Sequence, residues 1–302
     1  MHLPPPLTDT SDEGLRRAIE ADLVATRLYN TDLVVEAHDE PDASWAVPPP
    51  GDLLRSAVVR TYFSDTDADR RIAEIVAAYD RHGSPLVWWV APFHTPADLG
   101  DRLIGLGFSD VGPSQGMALD LATLPAQQEP LPAGLAIELV RDRAAIREYV
   151  EVVTQDRPEG APPYTAALLD LTVDTVARRI GEQPAPSHFL GRIDGRAVAT
   201  ARLSVLGGTA GIYSVVTVAA ARGRGIGRAM TLAALHAGRD AGYRIATLQS
   251  SPMGHRIYQR LTFRDVFDYQ IFVRRPSRPD ATLPPDPSLQ PDPSLPRDQP
   301  AD

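Results

Sequence analysis

The stretch VVTVAAARGRGIGRAM, residues 215–230, changes character within a few positions. It opens on a β-branched run that favours a strand, and from Ile226 its spacing favours a helix. Between the two, glycines stand at 223, 225 and 227, and arginines at 222, 224 and 228. Because glycine has no side chain, such a turn lets another group come close to the backbone. The stretch therefore predicts a strand-to-helix turn that binds a ligand.

The composition of this turn points to an anionic ligand. The first N–H groups of a helix and the helix dipole attract negative charge, and arginine adds charge-assisted hydrogen bonds to phosphate oxygens. A dinucleotide-binding G-x-G-x-x-G is not met, because Arg228 stands at the third glycine position. A P-loop is excluded, since the chain contains no lysine. The pattern that is met is Arg222-x-x-Gly225-x-Gly227.

The overall composition excludes several classes of chemistry. The chain has 302 residues and a net charge of −9, with neither cysteine nor lysine. Disulfides, cysteine nucleophiles, zinc–thiolate sites and lysine Schiff bases are therefore ruled out. No apolar stretch approaches the roughly 20 residues of a membrane-spanning helix, and the first residues do not read as a secretory signal. We expect a cytoplasmic protein that uses no metal and binds neither membrane nor nucleic acid.

The two halves of the chain differ in charge. Acidic residues outnumber basic ones in the first half, whereas arginine dominates the second. This asymmetry predicts that the second half meets an anion, although an arginine-biased composition alone would produce the same difference.

Proline-rich segments divide the chain. Residues 124–133 read as a linker between two domains, which span 8–123 and 134–276. The segment 277–302, rich in proline and aspartate, contains DPSL twice and almost no apolar residues, so we predict a disordered tail.

The second domain shows clear start and stop signals. Asp142 and Ser251 are predicted helix N-caps, Gly242 is a helix stop, and Asp194-Gly195 is a hairpin turn. Together they predict a strand, two helices, a three-stranded meander, a helix, a strand, a short helix and one or two final strands. The ranges are a strand at 134–140, helices at 142–155 and around 171–182, a strand at 212–218, a helix at 225–241 and a strand at 244–250.

The first domain is less regular. Helices are predicted near 11–29 and 67–81, a strand at 85–92 and a helix that starts at Thr95. GLGFSDV at 105–111 and RLTFRDV at 260–266 share Leu-x-Phe-x-Asp-Val, each after a strand and a proline-initiated helix. The match predicts a duplicated plan, although so short a repeat also arises by chance.

Arg222-x-x-Gly225-x-Gly227, placed between a strand and a helix, resembles the pyrophosphate-binding signature of the GNAT superfamily of acetyl-CoA-dependent N-acetyltransferases. The order of elements in 134–276 also resembles that family. The resemblance implies an α/β fold with a mixed sheet, a GNAT domain in the C-terminal half, and a degenerate GNAT-like domain in the N-terminal half. In the latter the phosphate turn is absent, and Leu103 stands where the second half has Tyr258.

The resemblance also implies roles for residues of the second half. The backbone of three residues would bind the pantetheine arm and thioester carbonyl between two splayed strands: Val216, Thr217 and Val218. Seven residues would hold the pyrophosphate: Arg222, Gly223, Arg224, Gly225, Ile226, Gly227 and Arg228. Ser251 takes the place of a cofactor-contacting asparagine. Tyr258, in Tyr-x-x-x-Thr262-Phe263, would be the general acid that protonates the departing thiolate, with Thr262 in place of the family's usual glycine.

The general base stays open. An amine nucleophile must lose a proton before it attacks, so the candidates are titratable groups or a water relay. The side chains considered are Glu138, Glu148, Glu151, His188, Tyr213 and, on the helix of Tyr258, His255. Each also reads as an ordinary surface or core residue.

The function implied is direct transfer of acetyl from acetyl-CoA to a primary amine of a small molecule or peptide. A non-catalytic acyl-CoA-binding sensor, which keeps the phosphate turn without transfer, is the alternative, and a nucleotide-binding protein is a weaker one. The sequence names neither the acceptor nor the oligomeric state, because acceptor loops carry no readable motif.

Overall fold

A computed structural model describes residues 3–28, 34–50, 52, 55–125, 129–155, 165–178, 180 and 186–275. Within these residues the chain forms helices α1 to α7: Asp12–Leu28, Ala68–Arg81, Leu99–Gly105, Arg143–Gln155, Ala166–Arg178, Ile226–Asp240 and Pro252–Arg260. Strands β1 to β6 are Glu36–Asp39, Ala43–Val47, Ala57–Thr61, Leu86–Val90, Ser109–Asp120 and Leu135–Leu139. Strands β7 to β11 are Ser187–Ile193, Arg196–Ser204, Ala210–Thr217, Ile245–Ser250 and Arg264–Arg274.

All of these strands join one mixed sheet. Its order is β1-β2-β3-β4-β11-β5-β10-β9-β8-β7-β6. The pairs β3/β4 and β9/β10 are parallel, and every other neighbouring pair is antiparallel. The predicted α/β class with a mixed sheet is confirmed.

The two halves follow one plan. In the first, three antiparallel strands lead through α2 to β4, and α3 leads to the long β5; in the second, β7 to β9 lead through α6 to β10, and α7 leads to β11. The repeated Leu-x-Phe-x-Asp-Val lies at the same point of each half, where the short helix ends and the last strand begins. Even the backbone matches, because Gly107 and Thr262 both have positive φ, 82° and 67°.

The last strand of each half is built into the other half. β5 lies between β10 and β11, and β11 lies between β4 and β5. Leu248 of β10 is therefore opposite Met117 of β5, and Ile271 of β11 is opposite Trp89 of β4. The domain limits 8–123 and 134–276 stay a prediction, and the two halves share one sheet across them. Residues 126–128 of the linker and the segment 277–302 lie outside the described residues.

Helices cover both faces of the sheet. Successive side chains of a strand point to opposite faces. Phe189 of β7 packs with the buried apolar side chains of α6, which form one core cluster with their neighbours on the sheet (the α6 cluster). Leu190, in contrast, packs against α4 and α5. In β5, Met117 joins the α6 cluster and Ala118 joins that of α1. Helices α1, α4 and α5 therefore lie on the face opposite α6.

Local signals in the second half are largely confirmed. The Asp142 carboxylate accepts the Ala145 N–H at 2.9 Å, and the Ser251 hydroxyl accepts the Gly254 N–H at 3.4 Å. Asp194 and Gly195 both have positive φ, as a two-residue hairpin turn requires. Gly242, with φ 90°, ends α6.

Two predicted helix starts are wrong. α3 begins at Leu99 rather than Thr95, because the Thr95 N–H donates to the Thr61 carbonyl and its carbonyl accepts from Phe63, each at 3.1 Å. α5 begins at Ala166 rather than near 171, because the Thr165 hydroxyl accepts the Leu168 N–H at 3.2 Å and caps the helix one turn earlier.

We expect Gly207→Ala to destabilise the protein. A Cβ at Gly207 would lie 2.3 Å from Cα of Asp22, and the α1 backbone would have to move. Such overpacking costs about 1–3 kcal/mol in the free energy of unfolding. Urea unfolding measures the change, with Gly105→Ala as control, since a Cβ there meets nothing within 4 Å. Equal stability of the two variants would contradict the close packing of α1 on the sheet.

Candidate active site

Strands β9 and β10 separate soon after they meet. They pair only at Ala210 with Ala246 and at Gly211 with Thr247. Beyond that point β9 stays with β8, and β10 stays with β5 up to Ser250. A cleft therefore opens between their C-terminal ends, as the family resemblance implies for the cofactor arm.

A bulge in β9 accompanies the separation. Ser214 has φ 51°, and the register of β8 against β9 shifts between Thr200 and Arg202. An extra residue of this kind bends its strand. The Thr200 hydroxyl donates to the Ser214 carbonyl at 2.8 Å and holds the bulge in place. Past the bulge, the Val218 N–H donates to the Val198 carbonyl at 2.9 Å. Because strand hydrogen bonds alternate in direction, Thr217 points its backbone groups toward the cleft.

The predicted phosphate turn follows β9 directly. Gly223 and Gly225 have φ 77° and 76°, a conformation that favours glycine, and α6 begins at Ile226. The backbone N–H groups of residues 223–228 find no acceptor among the described residues. A Cβ at Gly227 would meet only the Thr217 hydroxyl, at 3.7 Å, so folding alone does not demand a glycine there. Orphan donors in a row at a helix start form an anion cradle.

The three arginines surround this cradle. Arg222 Nε donates to the Thr217 carbonyl at 3.0 Å, and Arg224 donates to the Ala133 carbonyl at 3.3 Å. Arg228 forms an ion pair with Glu129, whose carboxylate accepts from Arg228 Nε at 3.0 Å and from a second guanidinium nitrogen. The segment around residues 129–133 thus lies against the turn.

Tyr258 projects from α7 into the core on the α6 side. Its ring packs edge-on against Phe263, with centroids 5.9 Å apart, and joins the α6 cluster. Burial raises the pKa of Tyr258 to about 12, so the phenol is protonated at neutral pH. Within the described residues its hydroxyl makes no hydrogen bond, and it is therefore available as a donor. The Ser251 hydroxyl, in contrast, is used as the cap of α7.

The acidic candidates for the general base lie on the surface. Glu138 and Glu148 both bind Arg192, with shortest distances of 2.7 Å, and this pairing lowers the pKa of Glu148. Glu151 is exposed. His255 on α7 pairs with Asp265 at 2.7 Å.

His188 and Tyr213 are in a different environment. Burial and the nearby charge of Arg202 lower the pKa of His188 to about 3, which makes its imidazole a weak base. Tyr213 donates its hydroxyl hydrogen to Asp22 Oδ2 at 2.6 Å. Burial, together with the Asp22 charge, raises the pKa of Tyr213 well above 10. Asp22 was not a sequence candidate, and no local signal marks it, since it lies on α1 of the other half.

The corresponding cleft of the first half is filled by the chain itself. β3 and β4 pair only at Val58 and Trp88. The backbone of Thr95 then pairs with that of Thr61 and Phe63, where β3 and β4 would otherwise separate. The segment before α2, SDTD at 64–67, carries aspartates and no glycine, so it lacks a phosphate cradle. The N-terminal half therefore lacks both the open gap between strands and the glycine turn that the second half has.

Residues 146–263 match the family model described as "Acetyltransferase (GNAT) family", which covers α4 to the end of α7. These residues belong to the GNAT family. The GNAT segment contains the splayed strands, the predicted phosphate turn and Tyr258. None of the curated proteins is a sequence match for the chain.

Solved structures share the fold of the whole chain. A GCN5-related N-acetyltransferase from Kribbella flavida has a TM-score of 0.63 at 18% identity, covering 86% of this chain and 96% of its own. A GCN5-related N-acetyltransferase from Sphaerobacter thermophilus has a TM-score of 0.57 at 17% identity, and the match covers 90% of this chain and 96% of the other. A "Tandem GNAT protein from the clavulanic acid biosynthesis pathway" has a TM-score of 0.53 at 14% identity, and the match covers 92% of this chain and 100% of the other. This coverage agrees with a GNAT-like fold in the first half as well as in the second. No helix within the described residues is long and apolar enough to cross a membrane.

We expect Glu129→Gln to raise affinity for phosphate-bearing ligands about two- to fivefold at low salt, because Arg228 loses its carboxylate partner and exposed pairs are worth up to about 1 kcal/mol. Calorimetric titration with coenzyme A at two salt concentrations measures the effect, which salt screening reduces. Glu13→Gln is the control: its side chain is equally exposed, 47% against 48%, and it pairs with Arg16 and Arg17 on α1, on the opposite face of the sheet from α6. Equal affinities of both variants would contradict a competing role for Glu129.

Proposed function

We propose that the GNAT half transfers acetyl directly from acetyl-CoA to a primary amine, without a covalent enzyme intermediate. The observation that carries this proposal is the row of N–H groups at 223–228 that find no acceptor among the described residues, just beyond the end of β9, the strand that has separated from β10. An anion cradle beside an open strand edge suits a ligand with a pyrophosphate and an extended amide-bearing arm. Family membership supports the acyl-transfer chemistry.

Residues of the second half would bind the cofactor and take part in the transfer. The N–H groups of 223–228, with Arg222, Arg224 and Arg228, bind the pyrophosphate. Thr217 offers its backbone N–H to the pantetheine arm, while its carbonyl accepts from Arg222 Nε. A backbone N–H on this edge of β9 stabilises negative charge on the thioester oxygen as the carbonyl becomes tetrahedral. Tyr258 donates its phenolic proton to the departing sulfur.

Calorimetry and a thiol-release assay together test the proposal. The protein is expected to bind acetyl-CoA and to release free thiol when a member of an amine panel is present. Tight binding without thiol release from any amine would favour the non-catalytic sensor. Stronger binding of ATP or NAD than of acetyl-CoA would favour a nucleotide-binding protein.

We expect Gly227→Val to weaken acetyl-CoA binding at least tenfold, because the side chain enters the space in which phosphates would approach the N–H groups. Gly227→Ala is a milder version of the same change, and a Cβ at that position has room. Calorimetry gives the affinity, and thermal unfolding of Gly227→Ala shows that the fold is intact. Full affinity in both variants would exclude a phosphate at this turn.

We expect Tyr258→Phe to reduce kcat by about 10²–10³-fold, since a general acid contributes on that scale. Affinity for acetyl-CoA should stay the same, because the phenol acts on the leaving sulfur. The control is Tyr243→Phe, a tyrosine packed against the same core cluster. If kcat is unchanged in Tyr258→Phe, the thiolate takes its proton from elsewhere.

A further inference from the structure

A carboxylate from the N-terminal half lies directly below the cleft of the GNAT half. Asp22 of α1 is completely buried. Its Oδ2 accepts the Tyr213 hydroxyl of β9 at 2.6 Å and the Thr247 hydroxyl of β10 at 2.8 Å. Its Oδ1 has no hydrogen-bond partner among the described residues. Gly211 and Thr247 form the last pair that joins β9 to β10, so the carboxylate covers the point from which the cleft opens.

Two glycines of the second half make room for this carboxylate. A Cβ at Gly211 would lie 2.3 Å from Asp22 Oδ2, so the carboxylate occupies the space that a side chain on β9 would fill. Gly207 accommodates the Asp22 backbone in the same way. β9 thus carries no acidic side chain of its own here and receives one from the other half.

The surroundings favour a proton on this group. Burial raises the pKa of Asp22 to about 6, a shift that hydrogen bonds from Tyr213 and Thr247 and the charge of Arg202 partly oppose. The charged and titratable neighbours are Tyr213 on β9, Arg202 on β8 and Tyr269 on β11, with Arg27 of α1 near Tyr213. A buried carboxyl with one oxygen that accepts no hydrogen bond is a poor choice for stabilising the fold, because the unsatisfied oxygen lowers the free energy of unfolding. Perturbed acids of this kind cluster at functional sites.

We propose that Asp22, acting through the Tyr213 hydroxyl, accepts the proton that the acceptor amine loses in the acyl transfer, so that the N-terminal half contributes a positioning residue to the reaction of the GNAT half. This rests on the proposed function. Tyr213, unlike Asp22, is only partly buried and lies one residue before the bulge. It is the link between the enclosed carboxylate and the cleft.

Tyr213 takes a proton from the ammonium group while its own proton passes to Asp22 Oδ2, which breaks one N–H bond and forms one carboxylic O–H bond. The freed nitrogen lone pair then forms the C–N bond, the C–S bond breaks, and Tyr258 protonates the sulfur. A second proton leaves the nitrogen and restores Tyr258 through solvent, and the proton on Asp22 is released to water. The net result is one amide, one thiol and one proton.

Asp22→Asn tests this role because the amide has the same shape and still accepts from Tyr213, but cannot take up a proton. Transfer to benzylamine, a primary amine used as the probe, should fall by about 10²-fold or more, while acetyl-CoA affinity is unchanged. Transfer to hydroxylamine, a nucleophile that is unprotonated at neutral pH, should persist. The wild-type rate should fall as the pH drops below about 6, and this limb should be absent from the variant. Tyr213→Phe should show the same loss with benzylamine.

Stability separates this role from a structural one. The pKa of Asp22 is higher in the folded chain, about 6, than its ordinary 3.8, so the wild type loses stability as the pH rises from about 4 to about 6. Asp22→Asn lacks that loss and should unfold at a higher temperature than the wild type at pH 8. The control is Asp120→Asn, an aspartate paired with Arg244 on the surface, which should leave transfer unchanged.

Three results would contradict the role of Asp22 as proton acceptor. A variant that is less stable at pH 8 and transfers to benzylamine at the wild-type rate would make Asp22 a structural tie and overturn the inference, with the proposed function intact. Loss of transfer to both nucleophiles in the variant would also overturn it, because proton removal would not be the step affected. A wild type that binds acetyl-CoA but acetylates neither nucleophile would overturn the proposed function, and this inference with it.

Discussion

The separation of β9 from β10 after two paired positions is the constraint around which the rest of the molecule is arranged. A strand can leave its parallel neighbour only if its other edge is satisfied, and β10 meets this condition because β5 pairs with it from Ile245 to Ser250. β9 is held in the same way by β8, with the bulge at Ser214 turning it aside. The cleft is therefore a product of the sheet order, and the glycine turn lies at its end because it connects β9 to α6.

The same plan gives opposite results in the two halves. In the first, the backbone of Thr95 closes the gap between β3 and β4, and aspartates precede the helix that follows β3. In the second, the gap is open and glycines precede the helix. The repeated plan places a pair of parallel strands that part at the same point of each half, and in the first half main chain lies at that point. The first half still supports the second. Its α1 covers the point at which β9 and β10 separate, and its β5 pairs with β10.

Sequence reasoning succeeded where the signal is local. The glycine turn, the Asp142 and Ser251 caps and the Asp194-Gly195 hairpin are each decided by a few neighbouring residues, and each is found in place. The start of α3 was missed because Thr95 is held by strand β3, more than thirty positions away in the chain. Asp22 was missed for the same reason on a larger scale: 191 positions separate it from Tyr213. The exchange of β5 and β11 depends on which strand edges meet, and no residue pattern encodes that.

The exchange also orders events in time. When a ribosome has released the first half, β4 and β5 are both present, but the strand that belongs between them, β11, is among the last described residues to be made. β5 has neither of its final neighbours until β10 is made, and β4 and β5 each lack one of their two neighbours until β11 is made. The centre of the sheet can therefore close only after Arg264–Arg274 has emerged and joined both halves. The sheet of the first half is in that sense completed by a strand of the second half, and β4 waits for that strand while all of α4 to α7 is made.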